Sequence, residues 1–289
     1  MSIPARAVFA ALAIHTLWGA NPVAVKLGLE AFPPLWSGFL RFALGCLCVF
    51  AWARLARIPI LPERGEWPAL LGIGALFTVQ IALMNIGFGA TTAANSAVLI
   101  AANPLFGMLF GHFLIPGDRI SIGRALGVAV AFGGVALVLT RGAGLASSFG
   151  SPGDWIVLAS ACLLGLRLAL CGRLLKSMNE VRLTFWQMLL SLPLFAAGAL
   201  AWEEIHWENL GVVPIAGILY QGIVVAGLAF TVNFYLIRRY RPSVMISFNF
   251  VAPVAGVLLG MAILGERLTA GLLGGMALVA LGLVLIARR

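Results

Sequence analysis

Ten apolar runs, each about 20 residues long, dominate the sequence and limit what the chain can fold into. A helix of that length crosses a bilayer core of about 30 Å, whereas barrel strands would alternate apolar and polar residues over about ten positions. The runs do not alternate in this way. We therefore predict an all-α integral membrane protein with ten transmembrane helices, at 7–29, 35–53, 67–88, 93–115, 120–140, 155–175, 183–202, 212–237, 243–264 and 268–287.

Composition and charge support this class and predict an orientation. Hydrophobic residues make up 62% of the 289 residues and charged residues only 10%, which a water-soluble surface could not accommodate. With the N-terminus in the cytoplasm, 14 of the 19 Lys and Arg residues fall on the inner side. We therefore predict that both termini are cytoplasmic, and that the net charge of +9 faces anionic lipid rather than nucleic acid.

The longest polar connection, 141–154, is rich in Gly and Ser and separates five apolar runs from five. It predicts two repeat units, 1–143 and 144–289. The stretch 104–127 matches 253–275, because each consists of an apolar helix, a Gly-acid-Arg turn and a second apolar helix. Along the first helix the offset is 149, and from the turn onward, where Asp118 matches Glu266, it is 148.

Weaker matches extend the repeat over the whole half. Gly19 matches Gly165 and Phe39 matches Phe185, both at an offset of 146, so the first run is predicted to be a helix and not a signal peptide. Because each half has an odd number of helices, the second half must be inverted relative to the first. Inverted repeats are typical of transporters that alternate access around a site near the bilayer midplane.

Six short motifs resemble a known family. They are Trp18-Gly19-Ala20-Asn21-Pro22, Arg41-Phe42, Ala101-Ala102-Asn103-Pro104, Phe185-Trp186-Gln187, Val251-Ala252-Pro253 and Gly265-Glu266-Arg267. With these motifs the chain resembles the drug/metabolite transporter superfamily, in its ten-helix EamA-type branch. The resemblance implies two inverted five-helix repeats with cytoplasmic termini. The members that it resembles most are bacterial exporters of neutral and aromatic amino acids, but the superfamily also carries other metabolites, nucleotide sugars and drugs.

Polar side chains inside the spans are the candidate binding residues, because each is unfavourable in hydrocarbon unless it faces another helix or water. Most are neutral donor–acceptor groups that suit a small polar or zwitterionic solute, and the aromatic and Met side chains among them could line an apolar pocket. Each could instead only hold helices together by a hydrogen bond. The predicted substrate-binding residues are Trp18, Asn21, Gln80, Met84, Asn85, Asn95, Asn103, Arg167, Trp186, Tyr220, Asn233, Ser247 and Asn249.

Two arginines and three prolines inside the spans are further candidates for a functional role. Arg167 could bind a substrate carboxylate, or it could extend to the membrane surface if its helix lies shallower than predicted. For Arg41 the family resemblance implies a structural role. Pro22, Pro104 and Pro253 are the predicted hinge or gating residues, because each removes a backbone donor within a span.

The sequence predicts neither a cofactor nor a metal site, and no enzyme activity. It contains no Walker loop, zinc motif or Ser-His-Asp set, and all four cysteines lie within spans or at their ends. No Asp or Glu lies centrally in any predicted span, which disfavours proton coupling through a membrane carboxylate. His15 or a carboxylate at a helix end could still carry a proton.

These observations predict a bacterial inner-membrane exporter of small polar or zwitterionic metabolites, with neutral and aromatic amino acids first among them. The alternative is a proton-coupled exporter of drugs or other metabolites such as nucleosides or amphipathic cations. An intramembrane enzyme or a non-transporting membrane protein is a more distant alternative. The sequence does not choose between a monomer and a homodimer.

Overall fold

The structure is a computed structural model that describes residues 4–114, 122–140, 150–239, 248 and 251–287. The first half contains α1a (Ala5–Gly19), α1b (Asn21–Leu29), α2 (Pro34–Leu55), α3 (Trp67–Ala90), α4a (Ala93–Ile100), α4b (Asn103–Leu114) and α5 (Ile122–Leu139). The second half contains α6 (Pro152–Leu174), α7 (Glu180–Trp202), α8, α9 (Val251–Leu264) and α10 (Ala270–Ala287). Helix α8 joins Val212–Leu219 and Phe230–Arg239 through a π-helical stretch, Tyr220–Ala229.

Each of the ten predicted runs overlaps one of these numbered helices. Within the described residues seven helical spans are long and apolar enough to cross a membrane, and three further apolar helices, Ala125–Leu139, Val251–Leu264 and Ala270–Leu285, are shorter. The all-α membrane fold is therefore confirmed. The beginnings of the fifth and ninth runs, and the Asp118 turn of the repeat, lie outside the described residues.

Helices α1 and α4 are each interrupted at the same motif. Each new helical segment begins at an Asn followed by a Pro, so Pro22 and Pro104 lie in the first turn of α1b and α4b. A proline is favourable there, because the backbone N–H that it lacks would have no helical partner. The side chain of Asn103 donates to the carbonyl of Ile100 across the second interruption, at 2.8 Å. The sequence predicted continuous helices here, and the structure corrects that prediction.

The helix contacts made by one half are repeated by the corresponding helices of the other half. Helix α3 packs against α6 as α8 packs against α1b, and α4b packs against α6 as α9 packs against α1a. Helix α3 also packs against α7 as α8 packs against α2, while α5 packs directly against its counterpart α10. Because each half has five helices, the second half begins on the side of the membrane opposite to the first. The axis of the rotation that exchanges the halves therefore lies in the membrane plane, and the repeats are inverted.

Close glycine contacts show the same exchange at the level of single atoms. A Cβ added to Gly165 would lie 2.5 Å from the nitrogen of Gly107, and one added to Gly19 would lie 3.0 Å from the nitrogen of Gly256. These four residues correspond at offsets of 146 and 149. Small residues allow this close approach of membrane helices.

Helices α5 and α10 repeat the pattern. A Cβ on Gly134 would lie 2.6 Å from the carbonyl oxygen of Gly275, and a Cβ on Gly282 would lie 2.6 Å from that of Gly127. Both correspondences have the offset of 148 that the sequence predicted. The repeat register is therefore present in the packing, and the same register can be used to compare side chains between the halves.

Candidate functional site

Arg167 lies in the protein interior, in the middle of α6. Its side chain is only 5% exposed, and its Nη1 donates a hydrogen bond of 2.8 Å to Oε1 of Gln187 on α7. Its guanidinium carbon lies 4.7 Å from the centre of the Phe77 ring. The interpretation that Arg167 extends to the membrane surface is therefore wrong. Its predicted contact with a substrate carboxylate stays a prediction.

Arg41 on α2 is a second buried cation. It is 4% exposed, and its guanidinium carbon lies 5.1 Å from the centre of the Phe42 ring. Its Nε and Nη1 atoms have no hydrogen-bond partner in the described part of the chain. Arg41 and Arg167 are connected through two rings, since Phe42, which lies beside Arg41, packs against Phe77, which lies beside Arg167.

These side chains form one group, which we call the arginine cluster: Arg41, Phe42, Phe77, Arg167 and Gln187. The Phe42 and Phe77 rings connect its two ends, with centroids 4.6 Å apart. Among the described residues no carboxylate pairs with either arginine. Unpaired guanidinium groups in a medium of low polarity attract carboxylates strongly, so the cluster is suited to bind an anionic group.

Of this cluster only Arg167 was in the predicted binding set, and sequence reasoning missed two polar members as well as the two rings. It gave Arg41 a structural role through the family resemblance and left Gln187 out of the predicted binding set. The repeat offset of 146 is a signal that could have found them, because it matches Asn21 with Arg167 and Arg41 with Gln187. Each half thus carries one amide and one arginine at corresponding positions, in opposite order.

The predicted residues of α1 and α8 lie together. Trp18 packs against Phe230 with ring centroids 5.7 Å apart, and the hydroxyl of Tyr220 donates to the carbonyl of Leu17 at 2.8 Å. Asn233 is half-buried in the next turns of α8. Asn21 begins α1b, and its Oδ1 is buried without a partner in the described structure.

The predicted residues of α3 bridge helices. Gln80 Nε2 donates to the hydroxyl of Ser160 on α6 at 3.0 Å, and Asn85 Nδ2 donates to the carbonyl of Pro34 at 2.9 Å. Met84 is buried in the main apolar core. The amides therefore hold helices together, although Gln80 Oε1 and Asn85 Oδ1 have no partner within the described residues.

Two predicted residues lie near helix ends instead of beside the arginine cluster. Trp186 Nε1 donates to the carbonyl of Ile60 at 2.6 Å in the α2–α3 connection, and Asn95 Nδ2 donates to Oδ1 of Asp154 at 3.2 Å. Ser247 and Asn249 lie outside the described residues. Pro253 is buried in the first turn of α9, and the hinge role of the three prolines stays a prediction.

One end of the bundle, which we call the acidic end, carries Asp154, Glu203 and Glu266. Both carboxylate oxygens of Glu203 accept the backbone N–H of Leu35 at 2.9 Å, in the first turn of α2. Glu266 and Asp154 hold the beginning of α4a, so the three carboxylates join the halves at this end. At the opposite end Arg182 on α7 pairs with Glu66 at 2.9 Å.

The contacts between the described helices differ at the two ends. At the acidic end α1b packs against both α3 and α4a. The contact of α1b with α3 corresponds to a contact between the C-terminal part of α6 and α8. Among the described residues this corresponding contact is much smaller. The described chain also shows no group of three His, Cys, Asp or Glu side chains that could hold a metal ion.

The structure has two five-helix repeats that are inverted relative to each other, with unpaired polar side chains buried inside the bundle. This combination defines a membrane transporter built from inverted repeats. The sequence model of the EamA-like transporter family matches residues 5–140 and 151–288, so the chain belongs to this family. The family resemblance that the sequence motifs indicated is confirmed.

Several named proteins are similar along nearly the whole chain. The uncharacterized inner membrane transporter YedA of Escherichia coli K12 is 28% identical over 91% of this chain and 84% of its own length. A probable amino-acid metabolite efflux pump of Salmonella typhimurium is 27% identical over 95% of this chain and 92% of its own. A solved crystal structure has a TM-score of 0.68 at 23% identity and covers 98% of this chain and 96% of its own, which shows the shared fold.

Proposed function

We propose that this transporter exports small zwitterionic solutes, with neutral and aromatic amino acids first among them, across the bacterial inner membrane. The names of the relatives support this direction and substrate class, since two similar proteins are named probable amino-acid metabolite efflux pumps. The site supports it as well, because it combines buried cations, neutral amides and aromatic rings. A zwitterionic solute with an apolar side chain needs these three kinds of partner.

The difference in described helix contacts at the two ends is the observation that carries the mechanism. In a molecule with two inverted halves, each half can adopt the conformation of the other. Each conformation of the whole molecule therefore has a second one of similar energy, in which the conformations of the two halves are exchanged. If the contact of α1b with α3 were exchanged for one between α6 and α8, the acidic end would open and the opposite end would close. This exchange is alternating access.

The charge distribution gives the direction of opening. The acidic end carries Glu203, Glu204 and Glu208, while the clusters of Lys and Arg lie at the opposite end, which we assign to the cytoplasm. In this orientation the described conformation is closed to the outside. A cytoplasmic solute would then enter and bind before the acidic end opens.

Transport in liposomes tests this proposal. Purified protein is reconstituted and loaded with labelled L-phenylalanine, L-leucine, uridine or tetraphenylphosphonium, and efflux is measured with and without a proton gradient. We expect efflux of both amino acids down their own gradients. Protein-free liposomes and liposomes with heat-inactivated protein give the background rate.

The other candidate functions predict different results in the same assay. Efflux of uridine or tetraphenylphosphonium alone, driven by a proton gradient, would replace the proposal with the drug or metabolite exporter. Absence of flux for every solute, together with turnover of an added compound in detergent, would indicate an intramembrane enzyme. Absence of both would indicate a non-transporting protein.

A further inference from the structure

We infer that Arg41, which sequence reasoning treated as structural, binds the carboxylate of the transported solute, and that Oδ1 of Asn21 accepts a hydrogen bond from its ammonium group. This inference rests on the proposed function, because it names the groups that would recognise an amino acid. The contacts that carry it come from the comparison of the two halves, which are related by a repeat register present in the packing.

The register is fixed independently for the two helices involved. For α1 and α6 it is the equivalence of Gly19 and Gly165, which make matching backbone contacts. For α2 and α7 it is the equivalence of Leu44 and Leu190. A Cβ on Gly222 would lie 2.6 Å from Cβ of Leu44, and a Cβ on Gly74 would lie 2.9 Å from Cβ of Leu190. Both equivalences have the offset of 146.

At this offset the second half contains a completed pair, since Arg167 Nη1 donates to Gln187 Oε1 at 2.8 Å. The corresponding residues of the first half are Asn21 and Arg41, with the amide and the arginine exchanged. They do not complete the same bond. Oδ1 of Asn21 and both Nε and Nη1 of Arg41 are buried without hydrogen-bond partners among the described residues.

In the second half Nε of Arg167 is also buried without a partner among the described residues, but Nη1 is paired with Gln187. In the first half both Nε and Nη1 of Arg41 and the acceptor of Asn21 stay unused. Asn21 is 8% exposed and Arg41 4%, so both side chains are largely shielded from bulk water. A buried guanidinium without acceptors is destabilising, and its loss of hydration is offset only when an acceptor enters. A carboxylate offers two oxygens that match the fork of N–H groups on a guanidinium.

Arg167 is the less suitable cation for this role. Part of its donor set is occupied by Gln187, and its guanidinium lies over the Phe77 ring. Its positive charge is of the same sign as that of Arg41, so an anion bound to Arg41 is also attracted by Arg167. Arg167 therefore raises the affinity of the cluster for an anion, while Arg41 supplies the free donors.

The free groups of the first half are of the two chemical kinds that an amino acid head group requires. Arg41 offers only donors, as a carboxylate requires, and Oδ1 of Asn21 offers only acceptor capacity, as an ammonium group requires. A nucleoside has no carboxylate for Arg41, and an amphipathic cation would be repelled by both arginines. The ligand class is therefore a small solute with an α-amino acid head group.

A pair of variants separates ligand binding from a structural role. Arg41→Gln removes the cation. The double variant N21R/R41Q keeps the total charge and reproduces in the first half the arginine–glutamine order of the second half. If Arg41 is needed only for packing, the double variant, with its own internal hydrogen bond, should restore function. Arg54→Gln on the exposed face of the same helix is the matched control.

Binding and flux are measured on the same preparations. Binding is measured as the rise in melting temperature of the detergent-purified protein on addition of L-phenylalanine or L-phenylalaninamide. Flux is measured as the efflux of labelled L-phenylalanine from liposomes. We expect L-phenylalanine to stabilise the wild type and the R54Q variant more than the amide does. In R41Q and N21R/R41Q the preference for the carboxylate should disappear, and the efflux of L-phenylalanine should fall by about 30-fold to 100-fold, which corresponds to loss of a charge-assisted hydrogen-bonded pair.

The outcomes distinguish this inference from the proposed function. Wild-type binding of L-phenylalanine that depends on Arg41, but without flux, would support the site and overturn amino-acid export. Wild-type flux that the N21R/R41Q variant retains, with the carboxylate still preferred over the amide, would overturn the site and leave export standing. If R41Q fails to fold, the double variant decides the question, because its arginine has a built-in partner. Wild-type protein that neither binds nor moves L-phenylalanine would overturn both.

Discussion

The carboxylate of Glu266 lies across the first turn of α4a, with Oε1 2.6 Å from the backbone nitrogen of Ala93. Its second oxygen accepts the N–H of Ala94 at 2.8 Å. A side chain from the α9–α10 connection therefore satisfies two N–H groups that have no partner inside the helix, and places a negative charge at the positive end of the helix dipole. The contact joins the second half to the first at the acidic end.

Removal of this carboxylate should weaken the closed acidic end. We expect Glu266→Ala to lower the free energy of unfolding by about 1 to 2 kcal/mol, as the loss of a helix cap does, and the melting temperature in detergent by a few degrees. Glu204→Ala is the control, since Glu204 is exposed at the same end. Equal melting temperatures for the two variants would show that the Glu266 contact does not hold the helices.

The ion pair at the opposite end offers a comparison between two neighbouring carboxylates. The side chain of Glu66 is 13% exposed and lies 2.9 Å from Nη1 of Arg182, whereas that of Glu63 is 80% exposed and lies at 3.4 Å. We expect Glu66→Gln to destabilise the protein by about 1 to 2 kcal/mol, because the pair is largely shielded from water. Glu63→Gln should change the stability by less than about 0.5 kcal/mol, as exposed pairs do. Thermal unfolding of both variants measures the difference, and a reversed order would contradict the role given to Glu66.

The predicted orientation can be checked by labelling from outside the cell. In a Cys variant at Glu204, an exposed residue of the acidic end, an impermeant maleimide should react in intact cells. In a Cys variant at Leu61, in the α2–α3 connection, it should react only after the membrane is opened. The four native cysteines belong to spans, so the unsubstituted protein gives the background. Labelling of Leu61→Cys alone in intact cells would reverse the orientation and place both termini outside.

The sequence predicts the ten helical elements and the repeat because both are recorded in features that act over long stretches. Apolar length identifies a span, and the glycines that match at offsets of 146, 148 and 149 identify the packing surfaces. The interruptions at Ala20 and Ala101 were not predicted, since hydropathy reports burial in lipid and says nothing about backbone continuity. The π-helical stretch Tyr220–Ala229 also has no local signature, because its hydrogen bonds adjust to neighbouring helices.

Much less of the site is predictable. The bond between Arg167 and Gln187 depends on the approach of α6 and α7, and neither residue type specifies the other. The unpaired groups of Asn21 and Arg41 become visible only when their counterparts are seen to be paired. Residues such as Trp186 were predicted from type alone, and type does not distinguish a side chain beside the cluster from one near a helix end.

The contact between α6 and α4b gives the sharpest test of the packing. In the Gly165→Ala variant the added Cβ would lie 2.5 Å from the nitrogen of Gly107, so the two backbones would have to separate. We expect a loss of stability of about 1 to 3 kcal/mol, as for other overpacked sites, and slower efflux in liposomes, because α6 then no longer fits against α4b. Gly172→Ala on the same helix meets nothing within 4 Å and should be neutral or stabilise the protein by up to about 1 kcal/mol through a better helix propensity. Thermal unfolding and efflux are measured for both variants, and a Gly165→Ala protein as stable and active as Gly172→Ala would show that the close approach of α6 and α4b is not required for either property.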